Sequence, residues 1–340
     1  MTAPLDARTP LRPTVLRRPA LRLQFTGWLQ RQWHLARRPR LENGWASLCG
    51  AGHARNQDAV LAAPPLYAVA DGVGGGRAGE LASSQMLAWC RSIPSTAWQD
   101  AKSLAEWMRQ ADDALANSLQ SLNPGGLSAT TFAGAWLAHS GRGHVVHIGD
   151  TRVLRLSPER KAWRVHQVTM DQTYANTGEA PPPGGSPDDP ARMVGVGAIG
   201  NPPVARLKLG EGEILMICSD GLHRFVLPRT IAELCKQASD LGHPISKLAD
   251  QLALAAQAAG SQDDISVLLV RKNALGGARQ AYWAVAALAA AVTLILLIAS
   301  PTPPAAHSGA AALLHSAPAS ANEPVPPAIT PELQASGVPR

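Results

Sequence analysis

Five short blocks of this chain set an aspartate at the lip of an apolar run: Arg55-Asn56-Gln57-Asp58, Ala70-Asp71-Gly72, Gly149-Asp150-Thr151-Arg152, Ser219-Asp220-Gly221 and Gln262-Asp263-Asp264. Such a placement delivers a carboxylate to the rim of a sheet. Where glycine follows, the bare backbone also lets a main-chain carbonyl approach a cation. Oxygen-only ligands favour Mg2+ or Mn2+, held octahedrally with several waters, over zinc or copper. One Asp-Gly pair is an ordinary turn in most proteins. Several such blocks, each at a strand edge, point instead to a shared cation site.

Elements are needed to position them. Short apolar runs predict strands over Gly44–Cys49, Leu66–Ala70, Thr131–Ala138, Gly143–Ile148, Arg152–Leu156, Trp163–Val168, Val204–Leu209, Ile214–Cys218 and Ile265–Val270. Helices are expected over Ala78–Cys90, Trp98–Leu122, Pro228–Ala238 and Ile245–Ala258, the last pair with small and apolar residues at helical spacing. Many sequential strands with paired helices between them imply an α+β fold, two stacked antiparallel sheets flanked by helix pairs.

Taken in order, these blocks resemble the metal-dependent protein serine/threonine phosphatases of the PPM group, protein phosphatase type 2C, in their compact bacterial form. The resemblance runs from about Gly44 to Arg271. It adds Gly79-Glu-Leu-Ala-Ser83, Ser128-Ala-Thr-Thr131, Val168-Thr-Met-Asp171 and Gly197-Ala-Ile-Gly200 to the aspartate blocks. It implies a four-layer αββα sandwich with a binuclear Mn2+ or Mg2+ centre at one end. Asp71 would bridge both ions, the Gly72 carbonyl would bind one, and Asp220 and Asp263 the other. Asp58 and Gln57 would act behind them through water, and Asp150 with Asp220 would form a third, weaker site. The implied reaction is in-line attack of metal-activated water on phosphoserine or phosphothreonine, with no covalent phosphoenzyme.

The chain departs from the family at several positions. Where the family has a phosphate-gripping arginine five residues before Asp58, this chain has His53. A histidine is a weaker and pH-dependent phosphate donor. Either Arg55 swings in as the substitute, the reading favoured here, or phosphate affinity is reduced. The general-acid histidine of some eukaryotic members falls at Val73. A Pro- and Gly-rich stretch, Ala180–Pro190, is expected to be a mobile loop over the site. His144, His147, His166, Cys218 and the tryptophans Trp89, Trp98, Trp107 and Trp136 are read as structural.

Charge is unevenly distributed. Of the formal net +6, residues 1–40 carry +8 through nine arginines against Asp6, and the remaining residues carry −2. Nucleic-acid binding by the folded part is therefore not supported. The arm is either a disordered basic segment or an amphipathic one lying on anionic lipid. Four scattered cysteines suggest neither disulfides nor zinc. Residues 281–300 (AYWAVAALAAAVTLILLIAS) hold no charge and have the length of a membrane-spanning helix. Arg271, Lys272 and Arg279 precede them, which puts the N-terminal portion in the cytoplasm of a bacterial inner-membrane protein. The expected organisation is a basic arm (1–40), a phosphatase domain (41–273), a linker (274–280), the span (281–300) and a Pro/Ala-rich periplasmic tail (301–340). Expected partners are phosphoproteins and a cognate Ser/Thr kinase, with a monomeric catalytic domain. A pseudophosphatase that binds phosphoproteins is the alternative.

Overall fold

The structure, a computed structural model, describes residues 40–122, 125–273 and 285–294. Most of the arm, the linker and the tail lie outside the described residues. The chain divides into two units, Met1–Ala287 and Leu288–Arg340.

Among the described residues of the first unit, ten strands form two five-stranded antiparallel sheets. One takes β1 (Leu41–Leu48), β10 (Ile265–Lys272), β9 (Ile214–Cys218), β6 (Arg152–Pro158) and β7 (Trp163–Gln167) in that spatial order. The other takes β2 (Ala59–Ala63), β3 (Leu66–Val73), β4 (Ala129–Leu137), β5 (Arg142–Ile148) and β8 (Val204–Lys208). Helices α1 (Gly76–Ser92) and α2 (Ala101–Leu122) cover the second sheet. The short helical turns are α3 (Tyr174–Thr177) and α4 (Asp220–His223), and α5 (Pro228–Asp240) and α6 (Ile245–Ala258) cover the first sheet.

The strand sequences dictate these layers. Side chains alternate across a strand, so an unbroken apolar run means that both faces are buried. In β3, Leu66, Ala68 and Ala70 face α1 and α2 while Tyr67 and Val69 enter the core between the sheets. In β9, Ile214, Met216 and Cys218 face α5 and α6, and Leu215 and Ile217 point inward to the same inter-sheet core. Cys218 is fully buried, and burial pushes its thiol up to about 12. The two-sheet, helix-covered α+β architecture agrees with the sequence expectation.

Several boundaries differ. β2 was not expected as a strand: its run of five residues ends at Pro64-Pro65, whose turn chemistry hides it. The helix expected over Trp98–Leu122 is split into a 3-10 turn, Ala97–Gln99, and α2. Asp100 is extended between them, and its carboxylate accepts hydrogen bonds from Ser103 N (2.8 Å) and Ser103 Oγ (2.7 Å), which caps α2. Among the described residues no helix is long and apolar enough to cross a membrane. The expected span extends at both ends beyond the described helix, residues 285–294, on which Val285, Leu288, Val292 and Leu294 are exposed.

Candidate metal centre

The expected aspartates are delivered to one end of the sandwich. Asp71 and Gly72 lie within β3, paired with Thr131 and Thr130 of β4, and not in a loop after it. Thr130 Oγ1 donates to Asp71 O at 2.7 Å and holds the end of β3 in place. Gly72 has a packing role besides the expected carbonyl access: a Cβ there would stand 2.3 Å from Gly79 O and 2.6 Å from Gln57 O. Asp220 opens the helical turn α4. Ser219 Oγ, just before it, donates to Asp58 Oδ2 at 2.8 Å and accepts from Ser266 N at 2.9 Å. A Cβ on Gly221 would meet Asp264 O at 2.1 Å, so only glycine lets α4 press against the turn before β10.

Asp263 and Asp264 divide their labour. Asp264 is buried, and its carboxylate accepts from Gly50 N (2.7 Å), Gln57 N (2.7 Å) and His53 Nδ1 (2.9 Å), which fixes the loop between β1 and β2. Asp263 is half exposed and stands 3.7 Å from His53 Nδ1. Ligand-capable atoms of His53, Asp263 and Asp264 all lie within 4.8 Å of one another.

A cavity of about 420 Å3 is lined by His53, Gln57, Asp71, Gly72, Val73, Asp150, Asp220 and Asp263. Asp58 stands behind it, held by Ser219. Arg55 turns away: its side chain is 68 % exposed and pairs with Glu80 at 3.6 Å, so the expected swing into the cavity is not what the structure adopts. His53, not Arg55, is the basic side chain of that loop that lines the cavity, and its hydrogen bond to Asp264 raises its pKa. Val73 lines the cavity and offers no acid.

Burial in a crowd of like charges raises every buried member of the set whose shift is resolved. Asp58 and Asp150 are each pushed up to about 7, chiefly by burial, and Asp71 is driven well above the usual carboxylate range for the same reason. Burial also raises Asp220, opposed by Arg224. Buried polar atoms ordinarily find partners, yet Asp58 Oδ1, Asp220 Oδ1 and Gln57 Oε1 are buried and have none. Mutually repelling carboxylates with orphaned oxygens fit divalent cations. The donor set therefore suits a metal.

Sequence reasoning missed Arg224. Its Nη2 lies 3.2 Å from Asp150 Oδ2, its Nε 3.2 Å from Asp220 Oδ2, and Nη2 also donates to Asp188 O at 2.8 Å. The spacing Asp220 to Arg224 is one helical turn, a legible pair had α4 been recognised. Through Asp188 this arginine ties the loop over the site to the carboxylates. That loop is further held by Tyr174 N to Asp189 O (3.1 Å) and Ala175 N to Pro187 O (2.8 Å), so it is pinned at several points. Asp171, itself gripped bidentately by Arg152, accepts from Asn176 Nδ2 through its carbonyl at 3.1 Å and sets the root of the same loop. His147 and His144 are structural as expected, donating to Met170 O (2.7 Å) and Trp98 O (2.9 Å), and His166 is exposed on β7. Trp98 is core, with Trp89, Trp107 and Trp136 packed against it.

A two-sheet sandwich with a carboxylate cavity at one rim is the build of a metal-dependent hydrolase. Residues 66–273, more than half of the chain, match the family described as Stage II sporulation protein E (SpoIIE). The chain belongs to that family, within the PPM-type serine/threonine phosphatases. It is 26 % identical over 239 residues to the serine/threonine phosphatase stp of Listeria innocua, covering 64 % of this chain and 88 % of that one. The catalytic domain of the serine/threonine protein phosphatase PstP, solved with two manganese ions, is similar at 26 % identity and TM-score 0.55, over 69 % of this chain and 99 % of that domain. PppA, described as a regulatory component of the type VI secretion system in Pseudomonas aeruginosa, is similar at 25 % identity and TM-score 0.57, over 68 % of this chain and 97 % of that one. By class, then, this chain is a protein phosphatase.

Proposed function

We propose that this chain is a membrane-tethered phosphatase that hydrolyses phosphoserine and phosphothreonine on cytosolic proteins and opposes a bacterial Ser/Thr kinase. The observation that carries the catalytic part is the gathering of Asp71, Asp150, Asp220 and Asp263 around one cavity, with Asp58 behind them and orphaned buried oxygens among them. Asp71, the Gly72 carbonyl, Asp220 and Asp263 would hold two Mn2+ or Mg2+ ions, while Asp58 and Gln57 orient what those ions hold. Bound ions would supply charge neutralisation at the phosphoryl oxygens and an activated water. His53 faces the same cavity and can donate to a phosphoryl oxygen in its protonated form. The loop carrying Pro182, Asp189 and Pro190 also lines the cavity and would bear on substrate choice. The tether is supported by the uncharged segment 281–300 and by the apolar exposed surface of the helix at 285–294.

The test is phosphate release from a phosphothreonine peptide by the full-length chain in detergent, with Mn2+, with Mg2+ and with chelator. Activity is expected only with metal, and Asp71→Asn should lower it by on the order of 10³-fold. A folded, inactive protein under every metal would favour the phosphoprotein-binding alternative.

A further inference from the structure

At the end of the sandwich far from the carboxylates, the chain's two exits meet. Strand β10 starts beside Asp264 and runs to Lys272, roughly 23 Å at 3.3 Å per residue. There Asn273 N donates to Arg40 O at 2.9 Å. The segment bearing +8 and the segment that leads to residues 281–300 therefore leave the domain from one point. Lys272 Nζ donates to Leu209 O at 3.0 Å and packs against Gly141, so this point abuts the edge of the second sheet where β5 meets β8.

That edge is cationic. The register sets Arg142 opposite Lys208 and His144 opposite Arg206. Two-residue spacing along each strand puts all four on one face, and together with Trp136 they line a cleft of about 640 Å3. Arg142, Arg206 and Lys208 are exposed. Among the described residues none of the three is in an ion pair. Seven linker residues, 274–280, reach at most roughly 25 Å when extended, so a bilayer entered by residues 281–300 starts no further than that from Asn273, and the linker is long enough to let this face touch it. Cations within a Debye length of an anionic leaflet, about 10 Å, are attracted to it.

We propose that this end of the domain is a lipid-docking face, on which Arg142, Arg206 and Lys208 contact anionic phospholipid headgroups. The carboxylate cavity lies at the other end of these strands, next to Asp150 and Asp263, and is thereby held away from the bilayer. The inference rests on the membrane-tethered reading above. Its consequence is that phosphosites hard against the membrane are poor substrates and those on extended cytosolic segments are good ones.

The full-length chain, reconstituted into vesicles of phosphatidylcholine alone or mixed with phosphatidylglycerol, would be extracted with alkaline carbonate and separately labelled at amines. Lys208 labelling should fall several-fold in the anionic vesicles relative to Lys236. High salt or Arg142→Ser with Arg206→Ser should restore it, and Arg142→Lys with Arg206→Lys should not. Peptide phosphatase activity certifies the fold of each variant. Equal labelling in both lipids overturns the docking face and leaves the tether standing. Protection that survives the serine variant, or that is produced by an acidic peptide and not by vesicles, also overturns it. Release of the chain by carbonate overturns the tether and this face with it.

Discussion

At the scale of single residues the site is a problem in charge. Asp58, Asp71, Asp150, Asp220 and Asp263 would together carry −5 when ionised, which two divalent ions and the Arg224 guanidinium would cancel. Arg224 engages the two carboxylates that the family resemblance gives to a third, weaker ion. Removing it in Arg224→Ala should raise the bound Mn2+ per chain from two to three, read by native mass spectrometry at saturating metal. The metal-free site also predicts a pH dependence. Folded Asp58 and Asp150 hold protons up to about 7, whereas unfolded aspartates release theirs near 3.9. Between those values the folded chain binds more protons, so its stability falls as pH rises. Chelated protein should therefore melt at a lower temperature at about pH 8 than at about pH 6, and added Mn2+ should raise the melting temperature more at the higher pH, because ions and protons compete for the same oxygens.

At the scale of elements, polar clamps place loops that no periodicity announces. Asp112, buried on α2, accepts hydrogen bonds from Gly195 N (2.7 Å), Val196 N (3.1 Å), Gly197 N (3.0 Å) and Ile199 N (3.0 Å). This one carboxylate fastens the segment that carries Met193, which lines the cavity, and Val194, which bridges Thr130 next to Asp71. In Asp112→Ala four N–H groups lose a charged acceptor, a cost on the order of 3 kcal/mol or more by the usual worth of such bonds, measurable by urea unfolding. Leu104→Ala, fully buried on the same helix, should cost about 2–5 kcal/mol through lost burial and a cavity. The two variants differ in kind: Asp112→Ala should also weaken Mn2+ binding, whereas Leu104→Ala should leave the metal affinity of the folded fraction unchanged. A helix over the length of α2 was legible in the sequence, though not its start. The role of Asp112 was not, because its partners lie more than eighty residues away.

At the scale of the whole molecule, β10 links two ends with opposite tasks, carboxylates at Asp263 and Asp264 and the chain exits at Lys272 and Asn273. Deleting residues 274–340 should release the chain into the soluble fraction while its activity on a soluble phosphothreonine peptide persists, checked by fractionation and assay. The sequence by itself determined the layers and most of the carboxylates that meet at the cavity. A five-residue apolar run such as Ile214–Cys218, too short for a helix and bounded by Gly and Ser-Asp-Gly turn residues, suits a strand buried on both faces, and an aspartate closing or following such a run falls toward a sheet rim. Only the tertiary structure decided which groups meet. Arg55 carries the same charge as Arg224 and lies nearer in sequence to the expected phosphate-binding position, yet Glu80 holds it outside the cavity while Arg224 reaches Asp150. The same folding brought Arg40 to Asn273 and Lys272 to the edge holding Arg142 and Lys208. Local pattern fixes what a residue can do, but contacts between distant segments follow from how two sheets stack and in what strand order, and a single sequence carries no direct signal for that packing.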